Sequence, residues 1–501
     1  MDPLTKLRKR LSLVTRRNST ATKNLAGKRQ SRAISTTSEV ASAQPATNIP
    51  TQEVRVTTPT TVPPRASLID LAKTITEETE KLERYMKESG SAAPSFDVDV
   101  PLAFPNLPEE IKKARENVVR ATKELGDLVT GPKESIRWMA WNVSSIDQAM
   151  GFVTFTDLPS TKAFPIHETA TYAEIAEKVG LDEVNVRRFM RHAMTNRIFR
   201  EVNPDVVAHT AASRVLAEDD AMGDWVGFTT DDIFPAASKV ISALTEHPSA
   251  SEPTQAGFQA ANGTTNIEPM FVTFGKDPLR AKRMGGAMTS LTGGEGYEIS
   301  YLLKNYNWAS LNEHHATIVD LGGSHGFVCR ALAEHYPNLK FIVQDLQKTI
   351  DSAPKLKEPL ASRIKYQSHD FFTTQPVKDA DVYFFRWIFH NHSDKYAAKI
   401  LKSLIPAMKK GAKVLINDHC LRDGFGKETF WDEKIIRTMD LVMLTLLNAT
   451  ERSEGQYEKL FESVEGFRFG GVRRVEGCRM SVVEAVWDGE DYGGEIAKVT
   501  E

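Results

Sequence analysis

Apolar residues change their spacing along the 501-residue chain, and each change predicts a different kind of element. From Ala66 to Ser89, Leu68, Leu71, Ile75 and Leu82 recur at helical spacing. A Gly-Ser-Ala-Pro link follows, then a second predicted helix around Pro108 to Leu128. Between Gly131 and Leu216 the pattern is that of a compact helical unit. Within it, Ala173, Ile175, Ala176 and Val179, then Gly180, then Val184, Val186, Phe189 and Met190 predict helix, turn, helix, with a wing at Ile198 to Val202. A helical connector runs from Asp219 to Tyr306. Its Phe271, Phe274, Met284 and Met288 are candidates for the walls of a pocket, although such residues at helical spacing are more often core. Past residue 307 the runs shorten. Thr317 to Leu321 is an apolar strand stopped by Gly322 and Gly323, Val328 to Tyr336 is a helix closed by Pro337, and a second strand ends at Asp345. Further strands are expected at Arg363 to Tyr366, Asp381 to Phe385 and Lys413 to Asn417. Strand, glycine turn, helix, strand is half of a doubly wound parallel sheet.

Composition narrows the class. With 41% hydrophobic and 26% charged residues the chain can bury a large core in two or more domains. A net charge of -3 argues against an overall nucleic-acid-binding surface, and no apolar run is long enough to span a bilayer. Three widely spaced cysteines without a C-x-x-C give neither a zinc site nor a disulfide framework, so no metal and a cytoplasmic location are expected. Residues 1–65 are rich in Ser, Thr, Pro, Lys and Arg and carry only Asp2, Glu39 and Glu53 as acids. They read as a disordered basic tail; their start also fits the composition of a mitochondrial presequence. The expected division is tail 1–65, helices 66–130, a winged-helix unit 131–218, a connector 219–306, an α/β domain 307–490 and a short tail 491–501.

Ligands of open parallel sheets sit at the carboxyl ends of the strands. Gly322, Gly323 and Gly326 permit a tight turn and close approach to a helix N-terminus, and Asp345 at the next strand end can accept hydrogen bonds from two ribose hydroxyls. GGSHG lacks the third glycine of a dinucleotide fingerprint, and Asp320 before it suits an ammonium or sulfonium better than a pyrophosphate. The stretch resembles motif I of the class I S-adenosylmethionine-dependent methyltransferases. Asp370 can bond an adenine amino group while Phe371 covers the ring. His390 follows the fourth strand. Its imidazole, with an ordinary pKa near ~6.5, can take a phenol proton, and Asp418 at the end of the next strand is expected behind it to fix its tautomer.

The segment FFRWIFHNHSDKYAAKILKSLIPAMKKGAKVLINDH is similar to the catalytic region of the plant caffeic-acid-type O-methyltransferases and their fungal relatives. The likeness covers about Gly131 to Trp487: winged helix, glycine motif, HDF, R-W-I-x-H, V-L-I-N-D, then M-D-L-V-M-L and E-R-S. It implies a Rossmann-like, doubly wound α/β methyltransferase domain preceded by an all-α winged-helix dimerisation domain, with S-adenosylmethionine as cofactor and a homodimer as the assembly. It implies His390 as general base flanked by Asp418 and Glu451, cofactor contacts at Gly322, Asp345, Asp370, Phe371 and Arg386, and substrate contacts at Met439, Met443 and Leu447. Trp308 is a further substrate candidate. The expected reaction is methyl transfer to a phenolic hydroxyl of an aromatic secondary metabolite, without a metal, nucleic acid or membrane partner. Asn391 and His392 stand where the family has Asp and Trp, and His392 is a smaller side chain able to carry charge. Two other readings stay open. One is a cofactor-dependent cyclase or pericyclase of the same fold; the other is a DNA-binding regulator using Asn185, Arg187, Arg188 and Arg191, against which those arginines form a solvated face.

Overall fold

Local capping starts and stops the predicted helices in the computed structural model, which describes residues 66–153 and 160–489. The expected tails, 1–65 and 491–501, lie outside them. Ser67 and Asp70 cap each other's backbone at the start of the Leu68–Ser89 helix, and Gly90 ends it in the left-handed conformation. This helix packs its Leu71 and Met86 edge against the Glu109–Thr130 helix.

The helix-turn-helix forms as its spacing predicts. Thr171 and Glu174 make a capping box for the Tyr172–Val179 helix, Gly180 turns the chain, and Asp182 caps Glu183–Thr195. Tyr172, Ile175, Val186 and Met190 close on Phe152 and Phe199 in one buried cluster. The wing is a hairpin of β2 (Arg200–Asn203) and β3 (Val206–Ala208), with β1 (Thr169–Thr171) on the other side of β3, so this unit carries a small sheet among its helices. Arg187 pairs with Glu183 and Asp205, and Arg191 with Glu201, so two arginines of the presented face are occupied within the fold.

Seven strands make the large sheet: β4 (Thr317–Leu321), β5 (Lys340–Asp345), β6 (Ile364–Ser368), β7 (Val382–Arg386), β8 (Lys413–Asp418), β9 (Phe467–Arg473) and β10 (Ser481–Trp487). Their order is β6-β5-β4-β7-β8-β10-β9, with the first five parallel and β10 antiparallel to both β8 and β9. The central strands read as continuous apolar runs because both faces are covered. Leu321, Tyr383, Phe385 and Ile416 enter one cluster, and Ile318, Val343, Phe384 and Leu415 the other. The crossovers run in opposite directions on either side of β4, which opens a crevice beyond the ends of β4 and β7.

A fourth cluster joins the connector to the Phe430–Leu447 helix: Phe228, Phe258, Met270 and Phe274 pack against Met443, Leu446 and Leu447. Of the wall candidates, Phe274 and Met284 belong to it, whereas Phe271 and Met288 are exposed. Trp308 is corrected outright. It is fully buried beneath the sheet, donates its indole N–H to Leu302 O, and packs edge-on against Phe384, so it is core rather than a substrate contact. No helix among the described residues is long and apolar enough to cross a membrane.

Candidate active site

Gly322 is in the left-handed region at φ 71°, and a Cβ there would lie 2.5 Å from Ile388 Cδ1 and 3.7 Å from Phe371. A Cβ on Gly323 would lie 2.5 Å from the Asp320 carboxylate. The turn therefore depends on two residues without side chains. Asp320 is fully buried, which pushes its carboxyl up to about 6, and it accepts a hydrogen bond from Cys329. Asp345 braces the same turn, accepting from the backbone of Ser324 at 2.9 Å and of Leu346 at 2.8 Å. Asp370 accepts from Phe372 N at 2.9 Å and stays exposed beside the half-buried Phe371 ring. Gly322, Asp345, Asp370 and Phe371 thus gather around the ends of β4, β5 and β6.

Arg386 differs from its expected place. Its guanidinium is turned into the wall, donating to Asn417 Oδ1 and to Tyr297 O at 2.9 Å, and burial lowers it to about 10. Its Nε is buried without a hydrogen-bond partner among the described residues. The two acids beside a glycine turn without side chains suit a nucleoside cofactor that brings hydroxyl and amino donors of its own.

His390 sits on the short turn Phe389–Asn391 beyond β7, and its Nδ1 lies 2.8 Å from Glu451 Oε1. Both groups are buried. Burial acts to lower His390, but the charge and hydrogen bond of Glu451 outweigh it and hold the imidazole above its ordinary value. Burial conversely acts to raise Glu451, and the charge and hydrogen bond of His390 hold it down to about 2. Glu451 is itself placed by Asp440, whose carboxylate accepts from its backbone N–H at 2.8 Å.

The expectation that Asp418 lies behind the imidazole is corrected. Asp418 accepts from two backbone amides, Trp387 N at 2.6 Å and His390 N at 3.0 Å, and Glu451 holds the ring instead. Register explains the exchange: Arg386 ends β7 opposite Asn417, so Asp418, one residue on, faces the main chain leaving β7. There Trp387 takes a left-handed φ of 58°, strained for a bulky side chain, and the Asp418 carboxylate helps to hold it.

Arg452, which sequence reasoning passed over, closes the turn from below. It is fully buried and donates to Phe389 O at 2.8 Å, His392 O at 2.7 Å and Asp394 Oδ1 at 2.8 Å. His419 and Tyr297 were also missed. Tyr297 OH lies 3.1 Å from His419 Nε2, and His419 Nδ1 lies 3.3 Å from Glu451 Oε1. The signal for Arg452 and His419 was adjacency: each directly follows an acid already singled out, Glu451 and Asp418. Nothing in the local pattern pointed to Tyr297.

Asn391 donates its amide to Trp387 O at 2.8 Å, bracing the turn where the family has a carboxylate. His392 stands edge-on to Phe371 and Phe372, and burial, then Arg452 and His390, push it down to about 3. It is therefore a neutral aromatic filler at neutral pH, not the charged group its residue type allowed. Of the substrate candidates, Met443 and Leu447 are buried in the connector cluster and Met439 lies partly buried against it.

Residues 248–468 match the O-methyltransferase domain family. The chain is 48% identical over 425 residues to a chlorophenol O-methyltransferase of Trichoderma longibrachiatum, covering 84% of this chain and 90% of that one. It is 35% identical over 418 residues to the O-methyltransferase gsfB of Penicillium aethiopicum, covering 83% and 97%. Among solved structures, OxaC in complex with SAH and oxaline matches with a TM-score of 0.64 at 22% identity, covering 83% of this chain and all of that one. The LepI complex with SAM matches with a TM-score of 0.63 at 19% identity, covering 83% and 99%.

Proposed function

The chain belongs to the O-methyltransferase domain family and is an S-adenosylmethionine-dependent O-methyltransferase, and from that premise we propose that it methylates a phenolic hydroxyl with His390 as general base. One observation carries the reading: the 2.8 Å contact between His390 Nδ1 and Glu451 Oε1, both buried beside the crevice. Glu451 accepts the Nδ1 proton, which leaves Nε2 with its lone pair free to take a proton from the acceptor. The imidazolium that forms stays paired with a carboxylate out of water, where the attraction is strong. Bound S-adenosylmethionine supplies an electrophilic methyl group on a sulfonium. Gly322, Asp345, Asp370 and Phe371 are the residues that would hold it, while Arg386 braces the wall beside them. Fixed positioning and exclusion of water contribute most of the acceleration.

The acceptor is read as an aromatic phenol from three supports. An imidazole held above its ordinary value by Glu451 suits a phenolic proton; the helix before Glu451 presents the partly buried Met439 over an apolar cluster that holds Met443 and Leu447; and one of the likenesses reported above is to a protein named for chlorophenol. The winged-helix unit at 131–218 is read as the dimerisation domain, 307–490 as the catalytic domain, and the assembly as a homodimer. Three unpaired cysteines support action in the reducing cytoplasm. The test is direct. Purified protein is incubated with S-adenosylmethionine and a panel of phenols that includes chlorophenols. A product heavier by one CH₂, formed one for one with S-adenosylhomocysteine, is expected for at least one of them.

A further inference from the structure

We propose that His419 and Tyr297 form a second arm on Glu451 that positions the His390–Glu451 pair, so that the base works through a four-residue chain. The inference rests on the reading of His390 as base and adds two positioning residues to it. His390 Nδ1 and His419 Nδ1 approach the same oxygen, Glu451 Oε1, at 2.8 and 3.3 Å. The second approach is longer and bent. It leaves His419 Nδ1 unmet and, on the same carboxylate, Glu451 Oε2 unmet. These are a donor position and an acceptor with complementary needs, buried side by side. A small rotation of the carboxylate satisfies both, and a buried pair left apart is costly.

Tyr297 holds the other side of His419. Its hydroxyl lies 3.1 Å from His419 Nε2, and burial keeps the phenol protonated despite the Arg479 guanidinium 5.4 Å from the ring. The Glu451 carboxylate facing Nδ1 can only accept, so the ring proton sits on Nδ1 and the Tyr297 O–H donates to the bare Nε2. The Trp387 ring, 5.0 Å from both histidine rings and 5.5 Å from Tyr297, walls the three groups together. Asp418 and Arg452 are the remaining charged groups close to His390. Held from two sides, Glu451 keeps one rotamer and stays aimed at His390; with one arm removed it is free to turn away.

The test compares His419→Leu, His419→Asn, His419→Gln and Tyr297→Phe with Glu451→Gln and the wild type. Each is assayed for kcat, for KM toward S-adenosylmethionine and for the pH profile of methyl transfer. The Asn amide nitrogen takes the place of ring Nδ1, whereas the Gln amide takes the place of Nε2 and cannot reach Glu451. His419→Leu is expected to lower kcat about tenfold, the scale of one hydrogen bond to a charged group. Its KM toward the cofactor should be unchanged and its acid limb moved to lower pH. His419→Asn is expected to restore most of the rate and the limb, and His419→Gln neither. Tyr297→Phe, which removes one hydroxyl, keeps the test open if His419→Leu does not fold; it should move the limb in the same direction. Equal rates for Asn, Gln and Leu, or a limb that stays in place while only the melting temperature falls, overturn the proposal. If Glu451→Gln loses activity while the His419 and Tyr297 variants do not, only this inference fails. If Glu451→Gln is itself without effect, the reading of the base falls as well.

Discussion

Glu451 Oε1 lies 2.8 Å from His390 Nδ1 across a sequence separation of 61 residues, at the meeting point of two segments that each have their own brace. Asp440 fixes the glutamate from the helix before it, and Asp418 fixes the backbone of the histidine. The pair therefore keeps its geometry without substrate.

A pH profile follows from the sign of the shift. Glu451 holds the imidazole above its ordinary value near ~6.5. A base must be unprotonated, so kcat/KM should fall as pH drops through that raised value, with the acid limb above ~6.5. Glu451→Gln removes the opposing charge and leaves burial, which acts the other way. The limb should then move below ~6.5 while the plateau rate falls by about 10²-fold. Initial rates between pH 5 and 9 measure both.

The glycine turn gives a second prediction. In Gly322→Ala the new methyl meets Ile388 Cδ1 at 2.5 Å from a backbone at φ 71°. The strain is about 1–2 kcal/mol before any displacement of Ile388. Isothermal titration should show weaker S-adenosylhomocysteine binding, and melting a lower Tm.

Arg452→Met is expected to loosen the turn that presents the base. It leaves Phe389 O and His392 O without their donor, at a cost on the order of 3 kcal/mol. Denaturant unfolding should report the loss, and kcat should fall more than KM rises, because the base is misplaced rather than the binding surface removed.

The basic face of the helix-turn-helix gives a negative prediction. Arg187 and Arg191 are already paired with Glu183, Glu201 and Asp205. Titration of duplex DNA at low salt should give no affinity with the steep salt dependence of phosphate contacts.

The parallel strands and their glycine turn were legible because the pattern there is local: a short apolar run, two glycines, a helix, an acid. β9 and β10 were not foreseen. Arg468, Gly470 and Gly471 interrupt the apolar alternation of β9, and its pairing with β10 is set by register across the sheet. His390 and Glu451 were found through motif order, but the choice between Glu451 and Asp418 as the carboxylate on the ring is a matter of side-chain direction. The end of β8 points its acid at backbone amides, which spacing along the chain does not reveal. Arg386 was placed at the cofactor by position, while its length let it reach back to Asn417 and Tyr297. Tyr297 lies 122 residues from the histidine it bonds, so no local signal marks it.

The most direct test of the account is single-turnover methyl transfer to a phenol that the wild type accepts, by wild type and His390→Ala, with cofactor binding measured in parallel. The account predicts that the wild type forms the methyl ether and S-adenosylhomocysteine in equal amounts. His390→Ala should bind the cofactor normally yet react at least about 10²-fold more slowly. Undiminished transfer by His390→Ala would contradict it.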